Sequence, residues 1–270
     1  MAFDSTRNLT VLFGGGGSNY LDDLWEWNGT TWTLRTATVR PEGRKWASGA
    51  YDPTRQRFVV FGGFTTPGPT DTAWEWNGTA WTPRTLSPRP AARYAGAMAF
   101  DPSRGKLVMF GGTSVGITGA LGDTWTLDAN GWTQLALTGP SARAEHKLVW
   151  SPTRQRLVLA GGLANGVYLT DAWELGPSGW SAIPNDVPVA VGSYAAAWDG
   201  RAVALVGGGA QTGYSSSMWE FDGTWTSFSG PVPTPARTWP AAAWDSTRAR
   251  LVFFGGTASA GDQNDTWEFW

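Results

Sequence analysis

The chain has 270 residues and a formal net charge of −2 at pH 7, which argues against a broad basic face for nucleic acid or anionic lipid. It contains no cysteine, so disulfides, thiolate metal sites and a cysteine nucleophile are excluded. No apolar stretch approaches the roughly 20 residues of a transmembrane helix, and residues 1–4 lack the features of a signal peptide. We therefore expect no membrane insertion, while a secreted and a cytoplasmic location both stay open.

A pair of glycines recurs six times, and each pair ends a short apolar run. The pairs lie at residues 14–15, 62–63, 111–112, 161–162, 207–208 and 255–256. Their spacing of 46 to 50 residues marks an internal repeat. A single repeat of this size cannot bury its own apolar face and must pack on its neighbours. The repeats therefore predict one domain over residues 1–270.

The second repeat predicts four short antiparallel strands, here called A to D in chain order, at residues 47–51, 57–61, 73–76 and 79–84. Between A and B, Pro53 is typical of the second position of a type I turn, because its fixed φ suits that position. Between C and D, Asn77 and Gly78 predict a type I′ hairpin turn. Helical periodicity is absent, so the repeat is an all-β unit.

The other repeats have the same order of elements. Tryptophan occurs in strand C of every repeat, at Trp25, Trp74, Trp125, Trp173, Trp219 and Trp267. It occurs in strand D of five repeats, at Trp32, Trp81, Trp132, Trp180 and Trp225. Four-stranded antiparallel units that repeat around an axis leave only short, protected edges, which favours a β-propeller.

An apolar run ending in Gly-Gly, then a loop, then an aromatic strand and a tryptophan about seven residues further on resembles the kelch repeat. Tryptophan in strand C is typical of many bacterial kelch-like sequences. The resemblance covers the whole chain. It implies an all-β, six-bladed kelch-type β-propeller with four-stranded antiparallel blades around a central channel, and a protein-binding or ligand-binding role.

The two ends of the chain predict one irregular blade. The last repeat reaches residues 265–270 without a strand D, and residues 1–4 align with residues 98–101, after the arginine segment that precedes strand A elsewhere. We expect one blade to be incomplete at the chain termini, with blade one lacking its outer strand and half of its inner strand. Unpaired backbone groups there would favour a partner strand or self-association.

The B–C loops and the D–A connections are expected on one face, because successive strands alternate in direction. Binding is expected there, since this face varies most in length and chemistry. The D–A connections carry Arg44, Arg93, Arg143 and Arg237. Guanidinium groups bind oxyanions, so a ring of them suits an anionic or sugar-like ligand. Alternatively, the arginines are structural partners of loop aspartates, namely Asp22 or Asp23, Asp71, Asp123, Asp171 and Asp265.

Trp46 and Trp239 do not belong to the repeated pattern. They precede strand A in repeats two and six, on either side of repeat one, whose loop contains Tyr20. We predict a cleft lined by these three aromatic residues with Arg44 and Arg237, and buried packing of the two indoles is the alternative. The predicted ligand-binding residues are Arg44, Trp46, Arg93, Tyr94, Arg143, His146, Tyr194, Arg237, Trp239 and Tyr20.

His146 is the only histidine and follows Glu145, so these two residues are candidates for acid–base catalysis. Kelch repeats often have histidine at this place for structural reasons. Copper radical oxidases of this fold need a cysteine, which this chain lacks. Nitrile-specifier proteins bind iron through a motif of glutamate, aspartate and histidine at fixed spacing. This chain lacks that motif, because the residue four positions before His146 is Ala142. A single histidine also argues against a histidine metal cluster, so no metal and no cofactor are expected.

A sialic-acid mutarotase of the kelch type uses acid–base residues in its channel. An enzymatic function is therefore not excluded by the sequence. The sequence favours a non-catalytic binding scaffold that uses the B–C and D–A loop face around the channel. Its partner would be a protein or a small polar or sugar-like ligand. The alternative is a lectin or a carbohydrate-active enzyme of the mutarotase or epimerase kind.

Overall fold

The computed structural model describes residues 1–17, 19–211 and 213–269. Each of the six repeats forms one antiparallel sheet, in which strands A to D are neighbours in chain order. The sheets are numbered one to six after their repeats. Five of them have four strands, and sheet six has three strands among the described residues.

Sheet one contains Ala2–Asp4, Leu9–Gly16, Tyr20–Trp27 and Trp32–Arg35. Sheet two contains Ser48–Asp52, Arg57–Phe61, Ala73–Trp76 and Trp81–Arg84. Sheet three contains Ala97–Asp101, Lys106–Phe110, Thr124–Asp128 and Gly131–Leu135. Sheet four contains Lys147–Ser151, Arg156–Ala160, Ala172–Gly176 and Gly179–Ile183. Sheet five contains Ala195–Trp198, Val203–Val206, Met218–Phe221 and Trp225–Ser227. Sheet six contains Ala241–Asp245, Arg250–Phe254 and Thr266–Phe269.

Short elements fill the B–C loops. Two-residue strands pair as Phe64–Thr65 with Gly68–Pro69, Leu163–Ala164 with Val167–Tyr168, and Gly209–Ala210 with Gly213–Tyr214. Near sheet six, Thr257–Ala258 pairs with both Arg237–Thr238 and Gly261–Asp262. The loop of sheet three contains a 3-10 turn at Gly116–Thr118. Within the described ranges, no helix has the length and apolar character needed to cross a membrane.

Local side-chain bonds hold the turns on the other face. In sheet two, Asp52 Oδ1 accepts the backbone N–H groups of Thr54 and Arg55, each at 3.0 Å. The C–D hairpin forms at the predicted place but is not a type I′ turn, because Gly78 has a φ of +96° whereas Asn77 does not have a positive φ. Asn77 Oδ1 instead accepts the N–H groups of Thr79 and Ala80, each at 2.8 Å, which stabilises a wider turn.

The six sheets form a closed ring. Strand A of each sheet contacts strand A of the next, and strand A of sheet six contacts that of sheet one. The A strands surround a central cavity of about 1090 Å³. Their small side chains, such as those of Ala50, Ala97 and Ala243, keep it open. The fold is therefore a β-propeller.

Apolar clusters lie between neighbouring sheets from one through six. For example, Val59 and Phe61 pack with Met98 and Leu107 between sheets two and three. None of the buried clusters formed by the described residues joins sheets six and one. Individual contacts join these two sheets, such as the edge-to-face pair of Trp32 and Phe254 at 5.3 Å and the bond from Trp32 Nε1–H to Thr266 Oγ1 at 2.9 Å. We call this junction the seam.

One expectation about sheet one was wrong, because this sheet has its outer strand, Trp32–Arg35. Its inner strand, Ala2–Asp4, is short as expected, and the sheet without a described strand D is sheet six. Sheet one also has a short B–C loop. Its strands B and C continue pairing as far as Gly16 and Tyr20, past a register shift between Phe13 and Gly15.

Candidate ligand-binding site

The D–A connections and the B–C loops lie together on one face of the ring, here called the loop face. Lys45 of a connection pairs with Phe64 of a loop in sheet two, and Ala144 pairs with Leu163 in sheet four. The third residue of each connection has a positive φ, between 55° and 63°, at Trp46, Ala95, Glu145, Ser193 and Trp239. Non-glycine residues rarely adopt this conformation.

Backbone hydrogen bonds join these five residues, which we call the mouth residues, into a chain around the channel. The N–H of Ala95 donates to the carbonyl of Trp46 at 2.8 Å, and the N–H of Glu145 donates to that of Ala95 at 2.7 Å. The N–H of Ser193 donates to the carbonyl of Glu145 at 3.0 Å, and that of Trp239 donates to Ser193 at 2.6 Å. These backbone bonds offset part of the cost of the left-handed conformation.

Four of the predicted aromatic residues belong to one cluster at the channel mouth. Trp46 stacks on Tyr94 with ring centroids 5.5 Å apart and contacts Trp239 at 5.1 Å. Phe64 joins this group, with its ring 5.2 Å from Tyr94 and 6.2 Å from Tyr20. Trp46, Tyr94, Trp239 and Tyr20 are each half-buried, so parts of their rings face solvent.

A pocket of about 210 Å³ opens beside this cluster. Trp46, Tyr94 and Trp239 form its aromatic wall, and Ala144, Glu145 and Leu163 line it as well. The carboxylate of Glu145 accepts a hydrogen bond from Ser193 Oγ at 2.6 Å. Burial raises the pKa of Glu145, and the bond from Ser193 opposes this rise in part. The pocket therefore offers flat apolar faces together with one half-buried carboxyl group.

The predicted arginines lie below the mouth, and their guanidinium groups are bound within the protein. Arg93, for example, is 2% exposed. Its Nη1 donates to the carbonyl of Gly111 at 3.1 Å, and its two Nη atoms contact Asp123 at 2.5 and 2.8 Å.

The same arrangement recurs around the ring. Arg143 binds Gly161 and Asp171, and Arg237 binds Gly255 and Asp265. Burial alone would raise the pKa of each of these aspartates, but the bonds from arginine and from a strand-C tryptophan outweigh it and lower the pKa.

Among the described residues, Arg44 has no aspartate partner. It donates to the carbonyl of Gly62 at 2.9 Å and to Thr72 Oγ1 at 3.0 Å. Burial lowers its pKa to about 10, with partial compensation from Glu42. Asp71 binds the exposed Arg89 at 2.7 Å, and Thr72 is the residue aligned with Asp123.

A family model described as the KLHDC2/KLHL20/DRC7 Kelch-repeats domain matches residues 1–186 of this chain. The chain belongs to the kelch-repeat family. Kelch-repeat domains commonly act as protein-interaction scaffolds, so protein partners are the general expectation for the chain. No curated protein matches the chain at a significant level.

Two further predicted site residues are buried within the kelch repeats. His146 is 0% exposed and Tyr194 is 1% exposed. The Nε2–H of His146 donates to the carbonyl of Phe110 at 3.1 Å, and burial lowers the pKa of His146 to about 3. The hydroxyl of Tyr194 donates to the carbonyl of Ala160 and accepts the N–H of Lys147 at 3.1 Å, while burial raises the pKa of Tyr194.

The kelch loops add one residue that sequence reasoning missed. Phe64 follows the second glycine pair and connects Tyr20 with Tyr94 and Trp46. Its position directly after Gly63 was the available signal, since the residue after each pair begins the loop that meets a D–A connection. Over residues 1–17, 19–211 and 213–269, no group of three or more histidine, aspartate or glutamate side chains could hold a metal ion.

Proposed function

We propose that this kelch protein is a non-catalytic binding scaffold, a single domain over residues 1–270, that contacts a protein partner with its loop face. The observation that carries the proposal is the pocket in which Trp46, Tyr94 and Trp239 face Glu145. Tryptophan and tyrosine are enriched among residues that dominate binding energy, because they bury a large area with few rotatable bonds. A partner side chain inserted here would bury aromatic surface that is now half-exposed.

The predicted site residues have different roles in this proposal. Trp46, Tyr94, Trp239 and Tyr20 contact the partner directly. The residues that hold the loops beneath them each make hydrogen bonds inside the protein, and they are Arg44, Arg93, Arg143, Arg237, His146 and Tyr194.

Site-specific photo-crosslinking tests the proposal. A photoreactive amino acid replaces Tyr94 on the loop face or Thr54, an exposed residue of an A–B turn on the other face. We expect a discrete protein adduct from source lysate only for the probe at Tyr94, and we expect Trp239→Ala to abolish it. Equal adducts at both positions, or an adduct only at Thr54, would place binding elsewhere.

A carbohydrate ligand is the second candidate, and the same pocket supports it. Indole faces stack on sugar rings, and a carboxyl group with a raised pKa can accept or donate a hydrogen bond to a hydroxyl. A glycan array tests binding, with Trp239→Ala as the matched variant. Sugar mutarotation or hydrolysis that is lost in Glu145→Gln would favour an enzyme over a scaffold.

A further inference from the structure

The pocket beside the mouth residues combines aromatic rings with a single charged group. Among the described residues that line it, Glu145 alone has a charged side chain, and Trp46, Tyr94 and Trp239 are the aromatic ones. The rest of the wall comes from the connections and loops of sheets three and four, which lie away from the seam. The pocket is therefore built from segments within residues 46–239.

One oxygen of the Glu145 carboxylate is available to a ligand. Oε2 accepts the bond from Ser193 Oγ at 2.6 Å, whereas no described residue donates to Oε1, which is not fully buried. The charge of Lys147 lowers the pKa of Glu145 and so favours the ionised form, but among the described residues no ion pair involves Glu145. A carboxylate that is partly removed from water attracts a cation more strongly than an exposed one does.

The backbone groups around the rings are already paired with one another. Tyr94 and Thr113 exchange two backbone hydrogen bonds of 3.0 and 2.9 Å, and Ala144 and Leu163 exchange two of 3.0 and 2.7 Å. The hydroxyl of Thr113 donates to the carbonyl of Gly116. A primary ammonium has three N–H donors, and some of them would lose their bonds to water here without gaining a partner, which is unfavourable.

An ammonium group of the protein itself already lies on the aromatic cluster. Lys45 Nζ is 4.0 Å from the ring centroid of Trp46 and 5.0 Å from that of Tyr20. Both distances are within the roughly 6 Å at which a cation is attracted to the face of an aromatic ring. Lys45 lines the central cavity and not the pocket, so this internal contact leaves the pocket open.

We propose that the pocket binds the side chain of a trimethylated lysine of a partner protein. The methyl groups of the quaternary ammonium pack against Trp46, Tyr94 and Trp239, and its charge faces the carboxylate of Glu145. This cation has no N–H group, so it fits a wall that offers rings in place of hydrogen-bond acceptors. Kelch-repeat domains commonly act as protein-interaction scaffolds, which favours a protein side chain over a free small molecule. The inference rests on the proposed function, because it names the side chain that enters the same pocket.

Three small probes test the charge and the methyl groups separately. They are trimethyllysine, lysine and an analogue of trimethyllysine with carbon in place of the charged nitrogen, each capped with acetyl and methylamide groups. Binding is followed by the indole N–H resonances of Trp46 and Trp239 in NMR spectra, which Trp46→Phe and Trp239→Phe assign. We expect saturable shifts with trimethyllysine, and binding that is about tenfold weaker for the neutral analogue and for lysine.

Two carboxylate variants make the test specific. Glu145→Gln removes the charge and keeps an oxygen that can accept the bond from Ser193. It should weaken the binding of trimethyllysine about tenfold and leave that of the neutral analogue unchanged. Glu42→Gln is the matched control, because Glu42 is an exposed residue of a D–A connection and does not line the pocket. This variant should bind all three probes like the wild type.

Several outcomes would overturn the proposal. They are equal binding of trimethyllysine and its neutral analogue, tighter binding of lysine than of trimethyllysine, and an unchanged affinity for trimethyllysine in Glu145→Gln. Choline that binds more tightly than capped trimethyllysine would assign the pocket to a small molecule and not to a protein side chain.

The proposed function can fail separately from this inference. A photo-adduct at Tyr94 without binding of any probe would support the scaffold and refute the assignment to trimethyllysine. Binding of trimethyllysine without a photo-adduct would support the cation site and refute the scaffold.

Discussion

The indole rings of Trp46 and Trp239 are in contact, with their centroids 5.1 Å apart and their planes inclined by 43°, although the two residues precede strand A of sheets two and six. Their contact therefore joins, at the channel mouth, the connections that lead into the two sheets on either side of sheet one. It provides an aromatic link between sheets two and six, which are not neighbours in the ring.

A double-mutant cycle should detect this link. We expect Trp46→Ala and Trp239→Ala to be non-additive in the free energy of unfolding, with a coupling of about 0.5–1.5 kcal/mol. Trp46→Ala combined with Trp225→Ala is the control, because Trp225 packs on Phe221 in sheet five and should add independently. Additivity of the first pair would mean that the contact contributes nothing to stability.

Gly111 should tolerate no side chain, for reasons of space as well as of backbone conformation. It has a φ of +61°, and a Cβ there would lie 2.6 Å from the carbonyl oxygen of Arg143. Gly105 has nearly the same φ, +62°, with nothing within 4 Å. We expect Gly105→Ala to destabilise by about 1 kcal/mol and Gly111→Ala by roughly 2–3 kcal/mol more. Equal losses in chemical denaturation would refute the steric argument.

Asp171→Asn should destabilise because it leaves the buried guanidinium of Arg143 without its counter-charge. We expect a loss of roughly 1–3 kcal/mol at pH 7, below the value for a fully buried pair because Asp171 is 39% exposed. Asp71→Asn is the matched control on an exposed pair and should cost less than about 0.5 kcal/mol.

The contribution of Asp171 to the free energy of unfolding should decrease as the pH falls. The bonds from Arg143 and Trp173 outweigh burial and lower the pKa of Asp171, so the stabilisation is present above the unfolded-state value of about 3.9. It is lost as the pH falls through the lower folded-state pKa. The difference between wild type and Asp171→Asn should accordingly shrink below about pH 4, and a constant difference would contradict this assignment.

Thr72→Asp should stabilise the protein, since it supplies Arg44 with the carboxylate that Arg93, Arg143 and Arg237 already have. We expect a gain of about 0.5–1.5 kcal/mol in the free energy of unfolding at pH 7. Thr72→Asn has a similar size and no charge, so it should give little or none of this gain. A variant with aspartate that is no more stable than the one with asparagine would remove the electrostatic explanation.

His146→Gln should reveal a buried neutral imidazole. Burial lowers the pKa of His146 to about 3, while the unfolded chain takes up a proton near pH 6.5. Wild-type stability should therefore fall between pH 6.5 and about pH 3, by on the order of 2 kcal/mol at pH 4.5. Glutamine can still donate to the carbonyl of Phe110 but has no such titration, so the two proteins should converge in stability as the pH falls.

Much of the fold was predictable because its signals are local. Both residues of all six glycine pairs have a positive φ, a conformation that favours glycine, and one sheet forms in each repeat. The type I′ turn at Asn77 was wrong because the asparagine side chain bonds to the N–H groups of Thr79 and Ala80. A propensity for one turn cannot show which competing side-chain bond forms.

The candidate site was less predictable, because it depends on contacts between distant repeats. Trp46 and Trp239 were singled out by their departure from the repeat, whereas Phe64 was missed although it directly follows Gly63. Arg44 binds Thr72 and not the neighbouring Asp71. Which of these two adjacent residues reaches Arg44 depends on the register of strand C, which the sequence alone does not give. Such registers follow from the packing of the whole sheet.

At the mouth residues, the backbone geometry is independent of the identity of the side chain. Backbone bonds fix positions 46, 95, 145, 193 and 239, and the residues there are already as different as tryptophan, alanine, glutamate and serine. Evolution, or a protein engineer, can therefore exchange these five side chains and change what the rim recognises while the frame beneath them stays the same. A library randomised at these positions would use the protein as an interchangeable recognition surface on a constant scaffold.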